Sequence, residues 1–329
     1  MPEPPIVPEL VSDRFALQND QSHLAAPSAW PVRRRPDRPI VHVLLLLATI
    51  ASTMLLGQLH YAGFATDFVS DATPTVSFLT GAWYSVTILA ILGTHEMGHY
   101  LACRYYRVDA SLPYFLPMPL IMTGTLGAVI RIRQRIPTKR MLFDIGAAGP
   151  IAGFAVAVPA LFLGVWLSRA VPLPEDFVGF SLGEPLLFRF AEWLFWRDAP
   201  DGYTINLHPV ALAAWFGLLI TAINLFPIAQ LDGGHISYAT LGRRSTTVTV
   251  GATVCVVFLA AFVSLSWLFW ALMMVGMLFA FGARHPETVD EHIPLDPMRR
   301  RVAILTVVIF ILCFTPAPIE VLDLIATPE

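Results

Sequence analysis

The sequence predicts an all-α, polytopic membrane protein of about seven transmembrane helices, interrupted by one re-entrant β-hairpin. Three observations predict it. Of the 329 residues, 56% are hydrophobic and 14% charged, where a soluble domain carries about 25% charged residues. Several uninterrupted apolar runs reach the roughly 20 residues that cross a bilayer as a helix. Positive charge collects on alternate sides of those runs, as it does in multi-pass proteins.

Residues 1–38 hold Pro2, Pro4, Pro5, Pro8, Pro27, Pro31 and Pro36 and no apolar stretch of helical length. They are expected to form a disordered cytoplasmic tail. The first apolar run begins at Ile40, so no signal peptide is expected. A membrane-embedded domain follows over 39–321, with its core at 80–240, and 322–329 is a short tail. No internal repeat and no appended soluble module is read.

Spans are expected at 40–59, 80–105, 141–168, 207–231, 246–264, 266–282 and 302–320. The fifth and sixth are separated only by Ser264-Leu265-Ser266, so one long bent helix is the alternative there. With the N-terminus in the cytoplasm, every Lys and Arg except Arg169, Arg189 and Arg197 falls on the inner side. A six-span layout would move Arg284 and Arg299, Arg300 and Arg301 outside, against the charge rule. Cys103, Cys255 and Cys313 all lie in apolar segments and imply no disulfide framework. Proline and arginine usage points to a bacterial inner membrane. The bilayer is the expected environment and no nucleic acid is an expected partner; nothing sets an oligomeric state.

Two segments do not read as spans. Residues 112–136 are apolar but carry Pro113, Pro117 and Pro119 with Gly124 and Gly127. Proline at that density forbids a regular helix. From Ala128 to Ile136 apolar and basic residues alternate with the period of a strand. Both ends lie on the cytoplasmic side, which predicts a re-entrant hairpin, tolerated in a membrane only where protein or water surrounds it; a cytoplasmic loop with one strand is the alternative. Residues 184–198 are too short to span. Arg189 and Glu192 lie on one side and Trp193, Phe195 and Trp196 elsewhere, which predicts an interfacial helix on the outer face.

The run from Ile91 to Cys103, ILGTHEMGHYLAC, sets two imidazoles and a carboxylate among apolar residues. Residues i and i+4 share a helix face, so His95 and His99 can grip one metal ion. Glu96 stands beside the first of them, within reach of a water on the ion's open position, which is the mechanics of an HExxH motif. Ionisable residues at bilayer depth are costly and mark function; polar residues lining a metal-free cavity are the alternative. His99 and His95 precede Arg104 by five and nine residues, which places them about 8 to 14 Å inside the cytoplasmic surface.

Catalytic zinc takes three protein ligands plus water. Cys103 is a poor third, because eight residues of helix span about 12 Å and zinc–sulfur bonds are about 2.3 Å. The better candidate lies in NLFPIAQLDGGH, Asn224 to His235. Asp232 ends an apolar run on the same cytoplasmic half as His99, and Pro227 with Gly233-Gly234 breaks the helix around it. Capping the segment that follows is its alternative role.

HEMGH in one span followed by N-x-x-P-x-x-x-L-D-G-G in a later one resembles the site-2 protease family of intramembrane zinc metalloproteases. The resemblance covers roughly residues 80–240. It implies that His95, His99 and Asp232 bind one zinc ion per chain and that Glu96 is the catalytic base. It also implies that Asn224 orients substrate or stabilises the oxyanion, and that the substrate is a transmembrane protein. GTLGA (Gly124, Thr125, Leu126, Gly127, Ala128) resembles the family's membrane hairpin, near the active site, and these residues are expected to meet substrate through an edge strand near Gly124 to Ile132. AAGPIAG (Ala147 to Gly153) resembles its Gly-rich span start. No PDZ-like insert and no CBS-like tail is found. His235, three residues after Asp232, would support the site or contact substrate, or be a solvated surface histidine. Three rival readings remain. A membrane HExxH metalloprotease of another class would need Glu287 or Glu291 as third ligand. Two His and a carboxylate can also hold non-haem iron. The third is a proteolytically inactive metal-binding scaffold.

Overall fold

The computed structural model describes residues 37–66, 76–119, 122–174, 178–228 and 230–323. The expected N-terminal tail therefore lies outside the described residues except for Asp37 and Arg38, and the expected C-terminal tail except for residues 322 and 323.

Four helical stretches among these residues are long and apolar enough to cross a membrane. The first is α1 (Pro39–Thr66). The second is α2 (Ala82–Tyr105) with the 3-10 turn Phe78–Gly81 before it. A hairpin of β1 (Tyr114–Pro117) and β2 (Thr125–Val129) intervenes. The third is α3 (Lys139–Leu167), begun by the Thr138 hydroxyl accepting from Met141 N. At the far end of α3, strand β3 (Arg169–Pro172) leads through β4 (Val178–Leu182) and α4 (Leu186–Trp196) to β5 (Tyr203–Asn206). Then come α5 (Pro209–Asn224) and α6 (Asp232–Leu241), which continues through a 3-10 joint at Gly242–Arg244 into α7 (Ser245–Phe262); α6 and α7 together are the fourth stretch. Helices α8 (Leu268–Phe281) and α9 (Pro297–Cys313) and strand β6 (Ile319–Asp323) complete the order. β3 pairs antiparallel with β5, and β4 with β6.

Several expected boundaries shift, each for a local reason. The span expected at 207–231 is helical only to Asn224. Leu225 N–H and Phe226 N–H close the last turn onto Thr221, Ala222 and Ile223 carbonyls, and Pro227 has no N–H to carry the helix on. The pair at 246–282 is two helices, not one bent helix, because the chain leaves helical geometry at Ser264 before the turn Leu265–Trp267. The span expected at 302–320 is helical only to Cys313. Phe314 is already extended, Pro316 and Pro318 supply no N–H, and the chain resumes as β6. The boundary drawn between 321 and 322 thus falls inside a strand.

α5 is apolar on every side, and 13 of its 16 residues are buried, the pattern of a core helix. It packs on α2, α3 and α9, with Trp215 and Leu218 wholly enclosed. Its C-terminal Asn224 is thereby carried into the interior. α2 and α3 approach to backbone contact: a Cβ on Gly98 would lie 2.5 Å from the Ala148 carbonyl oxygen. Small residues permit such close helix packing in membranes.

The hairpin over 112–136 is present, but its second strand is Thr125–Val129, earlier than the alternating run from Ala128. Register pairs Tyr114 with Val129 and Leu116 with Gly127. Beyond Ile130 the ladder gives way to the isolated Ala110–Ile132 bridge, with bonds to Asp109 and Ser111. Alternation alone could not place the strand, because the partner's spacing, with Pro113 between the two ladders, decides where pairing occurs. Polar side chains of α1 and α2 hold the hairpin by its carbonyls: His42 bonds Pro113 O, Ser52 bonds Gly124 O, His60 bonds Met122 O, and Tyr84 bonds Thr123 O. Gly124 needs its positive φ of 71° and the space beside Thr53.

α4 is the helix expected at 184–198. Phe188 and Ala191 face the protein, and Phe190 and Trp193 are exposed. Its two charged residues part company: Arg189 is exposed, while Glu192 is half-buried, and burial with the nearby Glu184 charge pushes its carboxyl up to about 8.

Candidate metal centre

The i, i+4 spacing on α2 puts His95 and His99 on one face, and that face is turned inward: His95, Glu96 and His99 are 4%, 8% and 6% exposed. α3 receives the imidazoles with a row of glycines. A Cβ on Gly149 would sit 2.0 Å from His99 Nε2, and one on Gly153 would sit 3.1 Å from His95 Cβ. The AAGPIAG run is therefore a smooth seat for two rings.

Asp232 arrives from α6. The N-cap of α6 is Leu231, which makes no side-chain capping bond, and Asp232 does not cap the helix either. Its Oδ2 lies 3.2 Å from His95 Nε2 and 3.3 Å from His99 Nε2. The two Nε2 atoms are 3.1 Å apart. Gly233 makes the approach possible, since a Cβ there would lie 2.1 Å from the Leu225 carbonyl oxygen. The α5–α6 turn is thus folded tightly enough to bring Asn224 and Asp232 to the same place.

The donor set fits a metal ion. His99 Nδ1 faces the Ile145 carbonyl at 2.7 Å. A carbonyl only accepts, so Nδ1 carries the hydrogen and Nε2 presents a lone pair. Convergent lone pairs from two imidazoles and a carboxylate repel unless a cation lies between them. A tetrahedral ion with bonds of about 2.0–2.1 Å separates its ligand atoms by about 3.3–3.4 Å, close to the three spacings found. Among the described residues, His95, His99 and Asp232 are the one group of three such side chains with ligand atoms mutually within reach.

Around this group the other expected residues divide. Glu96 Oε2 accepts from Ile130 N–H at 2.9 Å, at the gap where the hairpin ladder breaks. The Asn224 side-chain amide lies 3.3 Å from His95 Nε2. Gly124, Thr125, Leu126 and Gly127 have no hydrogen bond to the three donors; they lie on the turn and strand leading to Ile130, and Thr125 Oγ1 is spent on Leu116 O. His235 points away: its Nδ1 bonds His285 Nε2 at 2.8 Å. Cys103 is buried with Val108, Ala110 and Ile145, and Glu287 and Glu291 are drawn to Arg243. The two groups sequence reading missed, Ile130 N–H and Ile145 C=O, belong to the backbone.

The model of peptidase family M50 matches residues 83–196 and 197–265, more than half of the chain and every side chain of this site. The chain belongs to peptidase family M50. Several relatives of this M50 chain are named zinc metalloproteases. Probable zinc metalloprotease EGY2, chloroplastic, of Arabidopsis thaliana is 31% identical over 190 residues, 56% of this chain and 33% of the relative. Probable zinc metalloprotease EGY1, chloroplastic, of Oryza sativa subsp. japonica is 34% identical over 160 residues, 47% of this chain and 27% of the relative. Probable zinc metalloprotease EGY3, chloroplastic, of Oryza sativa subsp. indica is 28% identical over 266 residues, 76% of this chain and 43% of the relative. The M50 chain thus spans between about a quarter and under half the length of these relatives. Their names place them in chloroplasts, which lends nothing to a bacterial inner membrane. No solved structure matches the chain.

Proposed function

We propose that this chain is an intramembrane zinc metalloprotease that hydrolyses peptide bonds within or near transmembrane segments of membrane-protein substrates. The observation that carries the reading is the convergence of His95, His99 and Asp232 lone pairs beside the Glu96 carboxylate inside an apolar helix bundle. His95, His99 and Asp232 would hold one zinc ion. When bound, zinc supplies a Lewis acid that brings the pKa of water from 15.7 to about 7 and polarises a carbonyl.

The chain's own groups do the rest. Glu96 takes the proton of the attacking water and returns it to the leaving amine. Ile130 N–H holds one oxygen of that carboxylate, leaving the other free to face the water. The Asn224 amide stands at the site to donate to the oxygen of the scissile carbonyl as it gains charge. Ile145 C=O fixes the tautomer of His99. The neighbouring Glu96 favours hydrolysis over oxygenation by iron, and the positions of Glu287 and Glu291 disfavour a glutamate third ligand.

A substrate helix must unwind before cleavage, because its carbonyls are engaged in its own hydrogen bonds. β1 and β2 form a two-stranded sheet, so the β2 edge away from β1 is free to take an extended segment by strand addition. That edge runs toward Ile130 and hence toward Glu96. The hairpin is re-entrant in this reading, and α1, α2, α3, α5, α7, α8 and α9 are the seven spans, with the N-terminus on the cytoplasmic side.

The test is cleavage of a single-span substrate by the purified full chain in detergent. Chelation should abolish cleavage and added zinc restore it; cleavage that survives complete zinc removal would sink the proposal. In the same assay Asn224→Ala should keep its zinc and lose about 2.7–4 kcal/mol of transition-state stabilisation. A parent-like rate would take Asn224 out of the catalytic set. Strand alternation turns Ala128 N–H to the same edge as Ile130 N–H. Ala128→Pro removes that donor and should slow cleavage with zinc content unchanged. Unimpaired cleavage would mean substrate binds elsewhere.

A further inference from the structure

We infer that Tyr106, Asp144 and Arg299 form a positioning clamp through which the last helix, α9, sets the geometry of the metal ligand His99. The inference rests on the reading that His95, His99 and Asp232 hold a metal ion.

Asp144 is the only acid in α3. Arg299, in the first turn of α9, meets it in a two-point fork: Nε donates to Oδ1 at 2.8 Å and Nη2 to Oδ2 at 2.5 Å. Such a fork fixes orientation as well as distance. Nη1 of the same guanidinium bonds Asp296, the residue that caps α9, so the arginine is held from behind. The Tyr106 hydroxyl donates to Asp144 Oδ2 and lies 3.4 Å from Arg299 Nη2. Arg299 and Asp144 are 16% and 25% exposed, shielded enough that solvent does not replace the pairing.

The clamp's importance is where it attaches. Tyr106 is the C-cap residue of α2, two turns beyond His99. Asp144 immediately precedes Ile145, whose carbonyl accepts from His99 Nδ1. The contacts therefore close a ring: His99 along α2 to Tyr106, across to Asp144, one residue on to Ile145, and back to His99. Every link is a hydrogen bond or a continuous stretch of backbone. Sliding α3 along α2 would stretch the His99–Ile145 bond and the Tyr106–Asp144 bond together. Because Arg299 holds Asp144 from a third helix, α9 resists that slide. A tie placed elsewhere between the helices would steady the bundle without fixing this carbonyl.

The experiment measures zinc affinity by chelator competition, and the absorption spectrum of the cobalt-substituted protein, on the purified full chain. Groups that orient a metal ligand typically change affinity 10- to 100-fold when lost. Arg299→Gln and Asp144→Asn should weaken zinc binding about tenfold, at the lower end because they act through Ile145, and should alter the cobalt bands. Tyr106→Phe should move both readouts in the same direction by less. Trp267→Phe removes a bond from the turn before α8 to the Pro316 carbonyl beyond α9, away from the clamp, and should leave both readouts unchanged. Zinc affinity within twofold of the parent and an unaltered cobalt spectrum in folded Arg299→Gln protein would overturn the inference. Should that variant fail to fold, the same result in Tyr106→Phe overturns it. A parent chain that takes up no metal, or an Asp232→Asn chain that binds as much as the parent, would remove the metal-centre reading and this inference with it.

Discussion

Replacing Glu96 by Gln is expected to leave zinc bound and to slow peptide-bond hydrolysis about 10²- to 10⁴-fold, the usual cost of losing a general base. Gln is nearly isosteric, so the packing of α2 against α3 is kept. Its amide oxygen can still accept from Ile130 N–H. What it cannot do is take a proton from water. Turnover of a single-span substrate, measured beside zinc content on the same preparation, separates the two effects. A rate within a few-fold of the parent would assign the base to another residue.

Asp232→Asn and His95→Ala are expected to lose most of their zinc and, with it, cleavage. Asp232 Oδ2 stands within 3.3 Å of both imidazole nitrogens. Asn keeps the shape but gives up the negative charge that balances a divalent ion, and it brings N–H groups toward two lone pairs. Metal analysis of the purified variants checks this. Parent-like zinc in Asp232→Asn protein would take Asp232 out of the ligand set.

The grouping of the three candidate ligands is legible in the sequence because it is written in side chains with a helical period. His95 and His99 share a face by spacing alone, and Asp232 is marked by the breakers around it. What is not legible is whatever the backbone supplies. Ile130 N–H and Ile145 C=O have no letter of their own, and each becomes a partner only when α2 meets the hairpin and α3. The hairpin shows the same limit. Its prolines exclude a helix, yet the alternating run from Ala128 misplaces the second strand, since Thr125–Val129 is chosen by its pairing with Tyr114–Pro117. Hydropathy overstates helix length where an apolar run continues past a break, as beyond Asn224 and beyond Cys313. His235 is near Asp232 in sequence, but one turn of α6 faces it toward His285, a residue from a distant loop.

X-ray absorption at the zinc edge of the purified full chain tests the three-ligand centre most directly. The expected result is one zinc per chain with a first shell of nitrogen and oxygen at about 2.0–2.2 Å, including the outer-shell scattering of two imidazole rings. A sulfur shell at about 2.3 Å would bring a cysteine such as Cys103 into the site in place of Asp232, and that result would contradict it.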